Sequence, residues 1–369
     1  MVHDPIWQFS LQWLHALIWG GLLLLALYVC VRLLSARTLV IATTVCTFCL
    51  IVLGAYVRLT DAGLGCPDWP GCYGQLTPLH ADEHIRSAQA AAPAGPVSAP
   101  KAWREMLHRY AASLVGAMIL AILLQSFLQR RRQRRDPDDP VQAIGLPLLL
   151  VAVVVLQGLF GKWTVTLLLK PAIVTLHLLG GMLILALLAW LVARHLALKG
   201  AQRPIEGRSL RPWAALGLMI LWGQIALGGW VSANYAGLAC TDFPLCNGRL
   251  VPAMDFEHGF HVLRELGMTA SGEPLANEAL NAIHWAHRIG AAITLVYLGL
   301  IGIWATRING LRHHGFALLA MLAVQLALGI GNVLGTLPLP VAVAHNAGAA
   351  LLLALLVMLN FALYSEPAR

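Results

Sequence analysis

Charge is scarce in this chain. Asp, Glu, Lys and Arg make up 11% of its 369 residues, 59% are hydrophobic, and the mean hydropathy is +0.72. That balance excludes a soluble globular core and describes a membrane protein. Acid is the scarcer sign, 17 residues against 25 basic ones, for a net charge of +8. Nucleic acid is still excluded as a partner, because the basic residues cluster in short loops between apolar runs. The first apolar run lacks a convincing small-residue cleavage site, so it reads as a helix and not a signal peptide. No run is clearly broken at mid-membrane, which argues against a transporter. The paired loop cysteines lack Cys-x-x-Cys spacing, which argues against a membrane thiol-disulfide oxidoreductase.

What is present is a series of long apolar runs. Nine spans of roughly twenty residues fit the sequence, at 9–34, 38–58, 106–128, 142–166, 171–194, 212–232, 282–305, 314–335 and 340–364. The fold class is therefore an all-α polytopic membrane protein. Arg130 to Arg135 form one basic cluster, Arg194 to Arg211 a second, and Arg307 with Arg312 a third. The positive-inside rule makes these loops cytoplasmic. The N-terminus is then outside, the C-terminus is cytoplasmic, and the long loops 59–105 and 233–281 are outside. A bacterial inner (cytoplasmic) membrane is the expected location.

Seven cysteines occur. Cys30, Cys46 and Cys49 fall in spans and read as small buried hydrophobes. The other four form two pairs, Cys66/Cys72 and Cys240/Cys246, both in outer loops. An oxidising compartment permits a disulfide at each pair; metal ligands and free thiols are the competing readings.

The chain then repeats itself. Residues 54–72 and 228–246 agree at nine of nineteen positions, among them both cysteines and the Asp and Pro between them. His108-Arg109 matches His287-Arg288, Gln157-x3-Gly161 matches Gln325-x3-Gly329, and His177 matches His345. The expected organisation is an extra N-terminal helix (1–37), a four-helix bundle (38–196), a cytoplasmic linker (197–211) and a second four-helix bundle (212–369). Four spans per repeat give both halves the same orientation, with a pseudo-twofold axis along the membrane normal. In the outer loops, Ala88 to Pro100 reads as flexible linker, and Phe256–Leu266 as partly helical.

Four histidines, His108, His177, His287 and His345, lie a few residues inside spans that all enter from the outside. Helices two and four of an up-down bundle are diagonal, so each half offers two imidazoles across its core. Such a pair suits the axial positions of a flat macrocycle, a haem. His177, His287 and His345 are each followed three residues later by glycine, Gly180, Gly290 and Gly348, and His108 by Ala111. Small residues there would let a ring lie against the backbone; ordinary small-residue helix packing is the alternative. Arg109 and Arg288 suit haem propionates, or snorkel to the interface. Glu105 lies one turn before His108, and His284 holds the matching place in the second half. Unlike groups beside like sites indicate unlike roles, with an ion pair from Glu105 to Arg109 as the purely structural alternative.

These residues together resemble the haem A synthase family. The resemblance covers about 38–364 and rests on residues 54–72, Glu105-x-x-His108-Arg109, His177, Cys240/Cys246, His287-Arg288 and His345. It implies two pseudosymmetric four-helix bundles. It implies a haem b cofactor on His287 and His345, and haem O as substrate near His108 and His177, with Glu105 essential to the chemistry. The implied activity is that of an oxidoreductase taking the C8 methyl of haem O to a formyl group by successive hydroxylations, giving haem A for terminal oxidase assembly. The paired cysteines resemble loop disulfides, Cys66–Cys72 and Cys240–Cys246, found in many bacterial members. Haem O synthase and oxidase assembly factors are the implied partners, besides the lipid bilayer. The first helix departs from the eight-helix pattern. A dihaem membrane cytochrome for electron transfer is the alternative; it would need haems at opposite depths, whereas all four histidines are expected near the outer side.

Overall fold

In a computed structural model of the chain, residues 20–133, 144–197 and 205–364 are described. The start of the expected first span, residues 9–19, and residues 198–204 of the expected linker lie outside the described residues. Eleven α-helices are described: α1 (Gly20–Leu33), α2 (Ala36–Leu59), α3 (Asp82–Ala91), α4 (Ala99–Gln133), α5 (Gly145–Thr166), α6 (Pro171–Ala197), α7 (Arg211–Ala233), α8 (Phe256–Gly259), α9 (Asn277–Thr306), α10 (Arg312–Leu334) and α11 (Leu339–Tyr364). Eight of them, all but α1, α3 and α8, contain a segment long and apolar enough to cross a membrane. Hydrocarbon offers no partner to a backbone N–H or C=O, so helices that bond internally are what such runs must form. Hydroxyls inside them follow the same rule: Thr43, Thr44 and Thr47 of α2 donate to the carbonyls of Leu39, Val40 and Thr43 at 2.7, 2.8 and 2.7 Å.

The chain divides into two compact units, residues 1–166 and 167–369. In the first, α4 packs on α2 and α5. The Gln125 amide of α4 donates to the carbonyls of Cys30, Val31 and Leu34 at 3.1, 3.3 and 2.9 Å, capping the end of α1. In the second unit α7 packs on α9, α9 on α10, α10 on α11, and α11 back on α7. That closed ring is a four-helix bundle in which α9 and α11 are diagonal and run the same way. Asn360 of α11 donates to the Ala214 carbonyl of α7 (3.1 Å), and Arg211 to the Leu363 carbonyl (2.7 Å), pinning the end opposite the long loops.

The two long loops are more structured than a linker. Ala88–Ala91 is not linker but the last turn of α3, whose Ile85 is fully buried in a cluster with Cys66, Cys72, Ala81, Ala102 and Met106. One apolar residue on a short polar helix was enough to dock it, since the disulfide loop offered an apolar surface. Of the expected Phe256–Leu266 stretch in the second loop, Phe256–Gly259 is helical, capped by the Asp255 side chain on the His258 N–H (3.1 Å). The Trp230 indole bonds the Gly259 carbonyl (2.9 Å) and ends that turn. Arg264, 3% exposed, binds Asn234 Oδ1 and the Met268 carbonyl instead of extending the helix.

α4 and α9 start at residues 99 and 277, earlier than the apolar runs at 106 and 282. Glu105 therefore sits inside a helix and not in a loop, and His284, already within its expected span, lies two turns from the helix start.

Candidate functional site

The two long loops carry the same structure twice. Cys66 is bonded to Cys72 and Cys240 to Cys246, with Cα–Cα distances of 4.9 and 4.6 Å. Each loop holds a cis X-Pro bond, Trp69–Pro70 and Phe243–Pro244. After each second cysteine come two residues with positive φ, Tyr73-Gly74 and Asn247-Gly248. Cys72 and Gln75 exchange backbone bonds at 2.7 and 3.0 Å, and Cys246 and Arg249 at 2.7 and 3.2 Å, which closes a two-residue hairpin turn. An aspartate clamps each turn. Asp68 accepts from the N–H groups of Tyr73 and Gly74, and Asp242 from those of Asn247 and Gly248. The Gly248 N–H, with that of Asn247, holds the Asp242 carboxyl below its ordinary range. The sequence displayed both aspartates as repeat matches without revealing this task; Asn247-Gly248 is the turn signal that would have found it.

The helices that follow hold these loops. Arg109 of α4 donates to the carbonyls of Asp68 (2.9 Å), Pro70 (3.2 Å) and Gly71. Arg288 of α9 donates to those of Asp242 (2.9 Å), Leu245 (2.7 Å) and Cys240 (3.1 Å). A guanidinium offers five N–H donors in a rigid fork, which suits it to gather several loop carbonyls at once. Both arginines are thus committed to their loops, and only Arg288 Nε is left buried without a hydrogen-bond partner.

Glu105 and His284 make the corresponding bond. Glu105, 5% exposed, accepts from the Cys66 N–H at 2.9 Å; His284 Nδ1, also 5% exposed, accepts from the Cys240 N–H at 3.3 Å. The second Glu105 oxygen pairs with Arg109, so the ion pair anticipated as a structural alternative is present. In the second unit the guanidinium takes the Cys240 carbonyl instead.

The histidines are seated by glycines of the preceding helix. A Cβ on Gly54 would come within 3.0 Å of the His108 Cε1, one on Gly228 within 3.1 Å of His287 Cε1, and one on Gly329 within 3.2 Å of His345 Cε1. The glycines three residues after His287 and His345 do something else. A Cβ on Gly290 would meet Gln224 Oε1 at 2.3 Å, and one on Gly348 would meet Gln325 Oε1 at 2.1 Å. These glycines make room for a carboxamide and not for a flat ring, which corrects the reading from spacing. His287 and His345 are half-buried, on the diagonal helices α9 and α11, near the N-terminal ends of both. His345 Nδ1 is buried without a hydrogen-bond partner. Imidazole is a haem-iron ligand, and two half-buried imidazoles with glycine-cleared flanks, at one end of a bundle, fit a haem. His108 is the tenth residue of α4 and His177 the seventh of α6, both half-buried.

Comparison with known proteins identifies the family. Residues 37–357 match the COX15-CtaA family, described as cytochrome oxidase assembly protein. The chain is 40% identical over 324 residues to the Heme A synthase of Shewanella oneidensis, covering 88% of this chain and 95% of that one. It is 32% identical to the Heme A synthase of Caulobacter sp. strain K31 (84% and 90% covered) and 30% identical to that of Caulobacter vibrioides (83% and 90%). The chain is a member of the cytochrome oxidase assembly protein family to which these haem A synthases belong.

Proposed function

We propose that the protein is a haem A synthase, an oxidoreductase of the membrane that converts haem O to haem A. The observation that carries the division of labour is the shared bond of Glu105 and His284. Both accept the first cysteine's N–H, so holding the loop requires only an acceptor, which a neutral imidazole supplies in the second unit. Arg288 in turn holds its loop without a carboxylate. What Glu105 adds is negative charge, and only the first half has it.

In this reading His108 and His177 hold the substrate, haem O, and His287 and His345 hold a haem b. A bis-histidine haem supplies electron transfer when bound. The change from methyl to formyl removes electrons and protons from one carbon. A carboxylate one turn from His108 accepts a proton or stabilises positive charge developing there. Arg109 and Cys66 fix its two oxygens, so it is aimed before substrate arrives. Arg109 and Arg288 shape the rims of the two sites through the disulfide loops, and Arg288 Nε is the guanidinium donor left for a propionate.

In this reading the functional halves are the sequence repeats, 38–196 for substrate and 212–369 for the cofactor, joined by 197–211, with residues 1–37 an addition of unassigned role; the compact units divide instead after residue 166, so α6 with His177 belongs to the second. The basic loops support an orientation with the C-terminus in the cytoplasm of a bacterium and the disulfide loops outside the inner membrane. Haem O synthase and oxidase assembly factors are the partners this role implies.

Glu105→Gln tests the assignment. The amide keeps an acceptor for the Cys66 N–H and removes the charge. The expected result is a folded protein that keeps its haem b and binds haem O, with haem A formation lost by about a hundredfold or more, in the range for a general acid–base group. Near-normal haem A formation would return Glu105 to a structural role.

A further inference from the structure

The contacts around His287 and His345 repeat a pattern of four residues. On one helix it reads Gln-x3-Gly, Gln224/Gly228 on α7 and Gln325/Gly329 on α10. On the next membrane helix it reads His-x2-Gly, His287/Gly290 on α9 and His345/Gly348 on α11. The two helices interlock. The glycine of the first receives the edge of the imidazole, and the glycine of the second receives the carboxamide. The carboxamide then bonds the histidine: Gln224 Nε2 donates to the His287 carbonyl at 3.1 Å and lies 3.1 Å from its Nδ1, and Gln325 Nε2 donates to the His345 carbonyl at 2.9 Å.

The sequence of the first half supports this as a unit and not two coincidences. α5 and α6 carry Gln157/Gly161 and His177/Gly180, the complete pattern. α2 and α4 carry Leu50/Gly54 and His108/Ala111. There the glutamine and its receiving glycine are both replaced, while the glycine that seats the ring remains. That is what a steric lock requires, since a Cβ at the position of Gly290 would lie where the carboxamide goes.

We propose that Gln224 and Gln325 are positioning residues for the two haem-ligating histidines, each acting through the gap left by Gly290 or Gly348. This rests on the reading of His287 and His345 as ligands. A carboxamide carries a donor and an acceptor at one end, so Gln224 can hold the His287 backbone and face its Nδ1 whichever tautomer the ring adopts, whereas Gln325 acts through the His345 backbone alone. A ligating histidine is oriented through its other nitrogen, and loss of such a partner costs 10- to 100-fold in metal affinity. The Leu50/Ala111 variant sets the His108 position apart, beside Glu105 in the half assigned to a substrate that must enter and leave.

The test uses the full chain purified in detergent with its haem, in the variants Gln224→Leu, Gln325→Leu, Gly290→Ala and Gly348→Ala, and in the doubles Gln224→Leu/Gly290→Ala and Gln325→Leu/Gly348→Ala. Electron paramagnetic resonance g values read ligand orientation, haem transfer to apomyoglobin reads retention, and thermal melting reads packing. Each single variant is expected to remain folded, shift the low-spin g values and lose haem roughly tenfold faster. Each alanine should reproduce the effect of its leucine, because it displaces the same carboxamide. Each double should then be no worse than either single in all three readouts. Unchanged g values and haem loss in all four singles, or additive effects in the doubles, would overturn the proposal. His287→Ala and His345→Ala run alongside. If they keep the low-spin signal, the ligand assignment has failed, and the positioning claim with it, even if the melting cycle still shows the two pairs coupled. If they lose it while the glutamine variants do not, the clamp alone has failed.

Discussion

A single exchange between repeats, Glu105 for His284, separates two environments that are otherwise alike at their cysteines, aspartates and arginines. At this scale the sequence was informative about which residues matter and much less so about what they touch. The spacing of Glu105, His108 and Arg109 put them on one helix face, and the structure joins Glu105 to Arg109. The same spacing could not show that Arg109 and Arg288 reach carbonyls about forty residues away, since such partners depend on how a loop folds back. Nor could it show that Gly290 and Gly348 make room for glutamines on other helices. Gln224 was overlooked because Leu50 stands opposite it in the repeat. The residue-scale prediction follows from the diagonal ligand pair. His287→Ala or His345→Ala removes most of the tightly bound b-type haem from a protein that still elutes as a folded monodisperse species; a normal low-spin b spectrum in both variants would refute the assignment.

The disulfide loop is the element that the two halves share most closely. Its cysteines, Asp and Pro were visible as repeat matches, and the pairing follows from a turn that brings the Cα atoms within the usual range for a bridge. Helix α3 was not visible, because a ten-residue polar helix carries one buried side chain and no long period. The Asp242 clamp gives the loop a pH dependence. A carboxylate whose folded pKa is lowered stabilises above its ordinary value, near 3.9, and that stabilisation is lost as pH falls through the lower, folded value. Reduction of Cys240–Cys246 by a water-soluble phosphine should therefore be slow from pH 7 down to about 4 and accelerate only in stronger acid. Asp242→Ala should be reduced quickly across the whole range. Equal rates for the two proteins at pH 7 would show that the clamp does not hold the loop.

At the scale of the whole molecule, repetition of a membrane unit made most of the architecture legible. Eight membrane-length helices among the described residues, their order and the ring of α7, α9, α10 and α11 follow from apolar runs and the internal repeat. Helix ends were less legible, since α4 and α9 begin before their apolar segments, which brings Glu105 into helical register. The central claim is that two similar haem sites do different work, one bearing substrate and the other electrons. The direct measurement is extraction and chromatography of the pigments bound to the full-length protein, produced in a host that supplies haem O but makes no haem A of its own. The account predicts haem A, or its hydroxylated precursor, together with haem b; a preparation that yields haem b alone, in both sites and with haem O available, would contradict it.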